Sequence, residues 1–275
     1  MIKLGIPVLE QHSLTHKCLG HLSENCVIPE SVEVVVFDNA SKSSYYDCRF
    51  AETNFRFKTR LVRFEQNYGY YRPLLQVVGG TTDADIIGLM HNDLFIYEKG
   101  WDRRLLDSFL YDPRLGMVGV CGSDEIDDRG GRGGGTMCNF AGRVGQLQEH
   151  TGKKIAGLHP ALILDSMFMA CRRPLIDALD IDEHTTLCHF MDKLWPLKIM
   201  TEGWRVAVLG LSVDHIGGQT AVLEGERFEE DAADWCRQEG ISFKEGQASL
   251  ALYLESERRF LDYGRSKGYV PSRIH

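Results

Sequence analysis

The feature that most constrains this chain is a series of short, dense apolar runs separated by amphipathic stretches. Val32–Phe37 is the clearest of them: VEVVVF is rich in β-branched residues and is broken only by Glu33. A run of that density suits a strand buried on both faces of a parallel sheet. Lys3–Leu9, Arg60–Phe64, Asp85–Met90 and Gly116–Cys121 read as further strands. Between them, Leu14–Leu22 and Tyr70–Val78 read as helices, the second broken by Gly79-Gly80. In GWDRRLLDSFLYDP, Trp101, Leu105 and Phe109 recur at helical spacing, with Leu106 and Leu110 on the flank and Pro113 as the stop. Strand and helix alternating at this spacing predict a parallel α/β sheet. Farther on, Ala161–Cys171 reads as a strand, Leu187–Ile199 as a helix and Trp204–Leu211 as a last clear strand. From Glu224 onward the chain is acidic and helical, with Leu250, Tyr253, Leu254 and Leu261 as the expected apolar face. No internal repeat and no second complete domain pattern is present.

Composition narrows the function classes. Of 275 residues, 43% are hydrophobic and 25% charged, which suffices for a sizeable core and excludes whole-chain disorder. Lys and Arg number 31 against 39 Asp and Glu, a formal net charge of −8. That balance disfavours a dedicated duplex-binding protein, which carries a basic footprint. No apolar run approaches the roughly 18 residues of a membrane span. The opening MIKLGIPVLEQHS reads as a first strand rather than a signal peptide. The 8 cysteines are scattered with no CxxC pair. The expectation is therefore reduced thiols in a cytoplasmic protein, without a disulfide framework or structural zinc.

In open α/β sheets, ligands bind at the carboxyl ends of the strands. Asp38 follows VEVVVF, His91-Asn92-Asp93 follows DIIGLM, and Asp214-His215 lies just beyond WRVAVLGL. A carboxylate with an imidazole is a reasonable ligand set for Mn²⁺ or a similar ion bridging phosphates. Each residue alone also fits a blander role, the aspartates as turn or cap residues and the histidines as structural ones. No GxxxxGK[ST] loop, GxSxG elbow or HExxH helix competes, and Gly131–Gly135 lacks the strand-to-helix setting of a dinucleotide loop. The stretch Gly122–Gly135 (GSDEIDDRGGRGGG) is either a plain surface loop or a lid over substrate.

Four segments, in order, resemble GT-A glycosyltransferases of the large family 2 type, over about Lys3 to Gln219. VVVFDNASKSS resembles the family's nucleotide-binding turn. RFEQNYGYYRPLLQV resembles its "N.G...A.N" segment, with Asn67 and Gly69 in register. DIIGLMHNDLFIYEKGWDRRLLDSFLYDPRLGMVGV resembles the DxD segment and the helix after it. HFMDKLWPLKIMTEGWRVAVLGLSVDHIGG resembles the "ED.D...R....G.....P...V.H.GG" tail.

The resemblance implies a GT-A fold: Rossmann-like, with a mainly parallel central sheet flanked by helices. The catalytic domain would span 1–222, and 223–275 would be a helical C-terminal extension covering the acceptor side, mediating homo-oligomerisation, or simply packing on the sheet. It implies a metal-dependent, inverting transfer from a nucleotide-sugar, a UDP-sugar first, with Mn²⁺ or Mg²⁺. Asp38 would hold the base, and Asn67 belongs to the same donor site. Asp93 would bind the metal and touch the donor, with His215 and His91 as further ligands. Asp192, eleven residues before Gly203, would be the general base. Asp165 would line the acceptor pocket. The acceptor would be a glycan, a protein or a modified nucleic-acid base, with no stable membrane insertion. The departures are His91 for the first Asp of DxD, Met191 for the Glu before Asp192, Leu194 for the second Asp of "ED.D", and no Arg near Leu197 and Lys198. They motivate one alternative, a degenerate, non-catalytic nucleotide-sugar-binding member. A nucleotidyltransferase is the other, but Ile6–Ser13 carries no Lys or Arg for a triphosphate.

Overall fold

A computed structural model describes residues 1–42, 50, 53–70, 83–143, 152–179, 189–217 and 225–271. The chain begins with β1 (Ile2–Val8), α1 (His12–Glu24), β2 (Val32–Asp38) and β3 (Lys58–Arg63). Next come β4 (Ile86–Met90), β5 (Leu94–Ile96), α2 (Trp101–Tyr111), β6 (Leu115–Gly119), β7 (Cys121–Ser123) and β8 (Thr136–Phe140). Then follow β9 (Leu158–Pro160), β10 (Ile163–Leu164), β11 (Phe168–Arg172), α3 (Met191–Thr201), β12 (Arg205–Leu209) and β13 (Ser212–His215). Two helices close the chain, α4 (Gly225–Gln238) and α5 (Ala248–Ser266). Among the described residues no helix is long and apolar enough to cross a membrane.

The main sheet runs β3-β2-β1-β4-β11-β6-β12-β9. β1, β2, β3 and β4 are mutually parallel, as are β6 and β12, while β11 lies antiparallel between β4 and β6. Successive side chains of a strand point to opposite faces, and VEVVVF uses both. Val32, Val34 and Val36 pack with Cys18, Leu19 and Leu22 of α1 and with Trp101, Leu105 and Phe109 of α2. Val35 and Phe37 join the opposite layer, with Leu194, Leu197 and Ile199 of α3 and Phe260 of α5. Helices on both faces are why the run needs no polar alternation. A second, smaller sheet (β10-β7-β8-β13-β5) adjoins it and carries the residues at the ends of β5 and β13.

Gly88 of β4 sits where the sheet is tightest. A Cβ there would lie 2.4 Å from Leu4 Cδ2 and 3.2 Å from the Met169 carbonyl oxygen, and Leu4 is fully buried. Gly88→Ala should cost about 1–3 kcal/mol through overpacking. The check is the thermal midpoint, expected to fall by several degrees; an unchanged midpoint would refute the packing account.

Several expectations are revised. The helix over Tyr70–Val78 lies, beyond Tyr70, outside the described residues. Ala161–Cys171 is not one strand: β10 and β11 join different sheets, because Asp165 Oδ1 accepts the Met167 backbone N–H at 2.9 Å and turns the chain between them. Helix α3 starts at Met191, after Phe190 in a left-handed conformation (φ 64°). On α5 the expected apolar face is mostly the wrong one. Leu250, Tyr253 and Leu254 are 52%, 40% and 51% exposed, and only Leu261 is buried as expected. The packed face is Ala248, Leu252, Ser256, Phe260 and Gly264. These recur every four residues, but three are small, so hydropathy underweights them. The six described cysteines are free and buried.

Candidate active site

Strand pairing assembles the first cluster. In the antiparallel register of β5 and β13, Leu94 faces His215, which brings Asp93, just before β5, beside the last residue of β13. The His91–Asp93 turn is fixed to its surroundings. His91 N donates to the Met167 carbonyl at 2.9 Å, and Asn92 Nδ2 donates to Thr15 Oγ1 on α1 at 3.0 Å. Gly217 N donates to Asp93 Oδ2 at 2.9 Å.

The result is a compact donor set. His215 Nε2 lies 3.1 Å from Asp93 Oδ1, His91 Nδ1 lies 3.9 Å from the same oxygen, and the two imidazole nitrogens are 3.3 Å apart. Ligand atoms of all three residues fall within 4.8 Å of one another. Burial, and then His215 beside it, push His91 down to about 4, so its ring is neutral at pH 7 and keeps a lone pair. Burial alone would also lower His215, but the Asp93 hydrogen bond and charge outweigh it and raise it. Burial opposes the Asp93 charge, and the His215 hydrogen bond overrides that and lowers its pKa. Two imidazoles and a carboxylate with polar surroundings fit a divalent cation, with Mn²⁺ suiting the mixed nitrogen and oxygen set better than Mg²⁺.

A second cluster lies next to the first. Asp165, in the β10–β11 turn, is ion-paired with Arg132. Burial works against its charge, but Arg132 outweighs burial, with help from His215 and the Met167 N–H, and holds Asp165 well below the ordinary carboxylate range. Asp192, in the first turn of α3, behaves oppositely. Burial, and then the Asp165 charge, push it up to about 6, against the opposing pull of Lys193 and Arg132. Two neighbouring carboxylates with pKa values pushed apart have different chemical roles: Asp165 is a fixed anion that anchors Arg132, and Asp192 exchanges its proton near neutrality.

Arg132 is the residue that sequence reasoning missed, and it comes from the Gly-rich stretch. That stretch is tied down rather than loose. Its Arg132 carbonyl accepts from Ser123 Oγ at 2.6 Å, and its Gly130 carbonyl accepts from Lys193 Nζ on α3 at 2.8 Å. At Gly130 (φ +77°) a Cβ would meet Phe260 of α5 at 2.6 Å. The only signal in the sequence was an arginine flanked by glycines.

The remaining residues lie at the carboxyl ends of β1, β2 and β3. Asp38 is fully buried, with Oδ1 accepting from Ser41 N at 2.9 Å and Oδ2 3.5 Å from Arg63 Nε. Its neighbour Asn39, rather than Asp38, faces the cleft there, together with Asn67, Tyr70 and Asn92. Asn67 Oδ1 accepts from Gly69 N at 2.9 Å, and its Nδ2 donates to Asp231 Oδ2 of α4 at 2.8 Å. Tyr70 stacks on His91 with ring centres 5.6 Å apart, so the cleft adjoins the His91–Asp93–His215 cluster.

Residues 78–213 match the model of a family described as a glycosyltransferase-like family. No curated protein sequence matches the chain. Among solved structures, residues 1–349 of S. aureus TarS are 14% identical with a TM-score of 0.52, over 98% of this chain and 74% of that one. The mannosyltransferase PcManGT from Pyrobaculum calidifontis, in complex with GDP-Man and Mn²⁺, is 17% identical with a TM-score of 0.52, over 99% and 76%. GalNAc-T7, with UDP, GalNAc and Mn²⁺, is 13% identical with a TM-score of 0.57, over 100% and 60%. At such identities the likeness is one of fold. The family match spans His91, Asp93, Asp165 and Asp192, and the mainly parallel sheet gives the chain the GT-A fold of these glycosyltransferase structures, to which it is similar.

Proposed function

We propose that the chain transfers a sugar from a nucleoside-diphosphate sugar, a UDP-sugar first, to an acceptor hydroxyl with inversion at the anomeric carbon. The observation that carries this reading is the adjacency of the two clusters. His91, Asp93 and His215 bring together donor atoms that could hold a cation, and Asp165, whose charge acts on both imidazoles, joins burial in pushing the neighbouring Asp192 up to about 6. Structural neighbours bind UDP-GlcNAc in one case and GDP-Man with Mn²⁺ in another. A Mn²⁺ held by the three residues would supply Lewis-acid charge to the departing diphosphate.

The chain's own residues do the rest. Asp192 takes the proton of the acceptor hydroxyl, whose oxygen forms the new bond to the anomeric carbon on the face opposite the diphosphate. The bond from that carbon to the phosphate oxygen breaks, and the diphosphate leaves with the electron pair. Arg132 keeps Asp165 ionised beside the base. Asp38, through its turn, and Asn67 frame the nucleoside. Residues 1–222 would form the catalytic domain and 223–275 the extension. The buried free thiols support a reducing, cytoplasmic setting.

A screen of nucleotide-sugars with and without Mn²⁺ tests the reading. At least one donor should release nucleoside diphosphate only when the cation is present. Absence of release from every donor would leave the non-catalytic alternative standing.

A further inference from the structure

Helix α4 lies outside the residues matched by the family model, yet it faces the donor cleft. Its buried apolar residues, Ala232, Trp235 and Cys236, cluster with Ala248 and Leu252 of α5 and not with either layer of the main sheet. The cleft itself lies between α4 and the strand ends. Phe228 and Trp235 line it on one side, and Val8, Asn39, Asn67 and Tyr70 line it on the other.

Polar contacts bridge the same gap. Arg227 Nη2 donates to the Ala40 carbonyl at 2.7 Å, and Arg227 Nη1 lies 3.7 Å from Glu10 Oε1. That Nη1 is buried without a hydrogen-bond partner, as is Asp38 Oδ2 behind the same turn. Each is instead in an ion pair, Arg227 with Glu10 and Asp38 with Arg63 at 3.5 Å. Asp231 holds the Asn67 amide at 2.8 Å, and Gly69 N bonds the other end of that amide at 2.9 Å. The Asn67 side chain is therefore fixed in one orientation toward the cleft. Arg227, Phe228, Asp231 and Trp235 follow helical spacing, so one side of α4 presents all four. An aromatic wall opposite oriented amides suits a flat heterocycle that both donates and accepts hydrogen bonds.

We propose that α4 is the base-recognising wall of the donor site: Phe228 stacks on the nucleobase, and Asp231 is a positioning residue that acts through Asn67. The proposal rests on the donor reading of the cleft.

Titration of the full chain with UDP and Mn²⁺ by calorimetry tests it. Phe228→Leu keeps apolar bulk for the α4–α5 cluster but removes the flat ring, and should raise the Kd about fivefold or more. Asp231→Ala should raise it about tenfold, the scale of one hydrogen bond to a charged group. Asp231→Asn keeps an oxygen for the Asn67 amide and should restore affinity to within about threefold. Thermal midpoints of the variants, measured alongside, should stay near that of the parent. Wild-type affinity in both Phe228→Leu and Asp231→Ala, with Asn39→Ala losing UDP, would overturn the role of α4 while leaving the donor cleft standing. Equal losses in Asp231→Ala and Asp231→Asn would overturn the positioning role. If the parent chain binds neither UDP nor GDP, the donor reading fails and the proposal fails with it.

Discussion

Asp192→Asn should reduce donor turnover by about 10²–10⁴, the usual contribution of a positioned base, while UDP binding stays within about twofold. The pH profile of the parent enzyme should carry the same signature. Burial, then the Asp165 charge, raise the Asp192 pKa to about 6, and only the deprotonated form accepts a proton. The rate should fall about tenfold per pH unit below 6 and level off above it. A profile flat down to pH 5, or an Asn variant with parental turnover, removes Asp192 from the mechanism.

The same carboxylate has a stability consequence of fixed sign. Its folded pKa lies above the unfolded value, so the folded state binds the extra proton and stability declines as pH rises from about 4 toward 6. At pH 7 the charged side chain costs the fold at most about 3 kcal/mol. Asp192→Asn should therefore melt higher than the parent at pH 7, with the gain fading below pH 4. A rise in stability with a loss of activity is the expected mark of a site residue held in an unfavourable environment.

Asp93→Ala should weaken Mn²⁺ binding by more than about 100-fold, since even residues that only support a metal ligand cost 10–100-fold. Asp93 Oδ1 lies 3.1 Å from His215 Nε2 and 3.9 Å from His91 Nδ1, within reach of both imidazoles. Asp93→Asn keeps the shape and the bond to Gly217 N but not the charge, and should lose Mn²⁺ nearly as completely. Calorimetry or Mn²⁺ spectroscopy checks both. Parental affinity in the Asn variant would move the cation elsewhere.

Much of the sheet was legible because its strands are short and dense. VEVVVF and DIIGLM could be read without their neighbours, since burial on both faces leaves no polar alternation. The trailing helix was misread for a related reason. Hydropathy found Leu250, Tyr253 and Leu254, but the packed face is spaced by Ala248, Ser256 and Gly264, whose small size permits close approach to the neighbouring helices α3 and α4. Asp38, Asp93, Asp192 and His215 were visible because each sits near a strand or helix end, where polar side chains converge.

The amino-acid sequence by itself determined the layer architecture and the residue types available for chemistry, because apolar periodicity and strand-end polarity are local properties. Only the tertiary structure decided how those residues work. The 3.1 Å contact of His215 with Asp93 depends on the β5–β13 register. The lowered pKa of Asp165 depends on Arg132, delivered from a stretch more than thirty residues earlier, and the raised pKa of Asp192 on its burial and on the charge of Asp165, against the pull of Arg132. The wall that α4 makes over the cleft depends on α4 packing against α5 rather than against the sheet. Charge, burial and orientation are sums over neighbours that are distant in the chain, and no local pattern carries them.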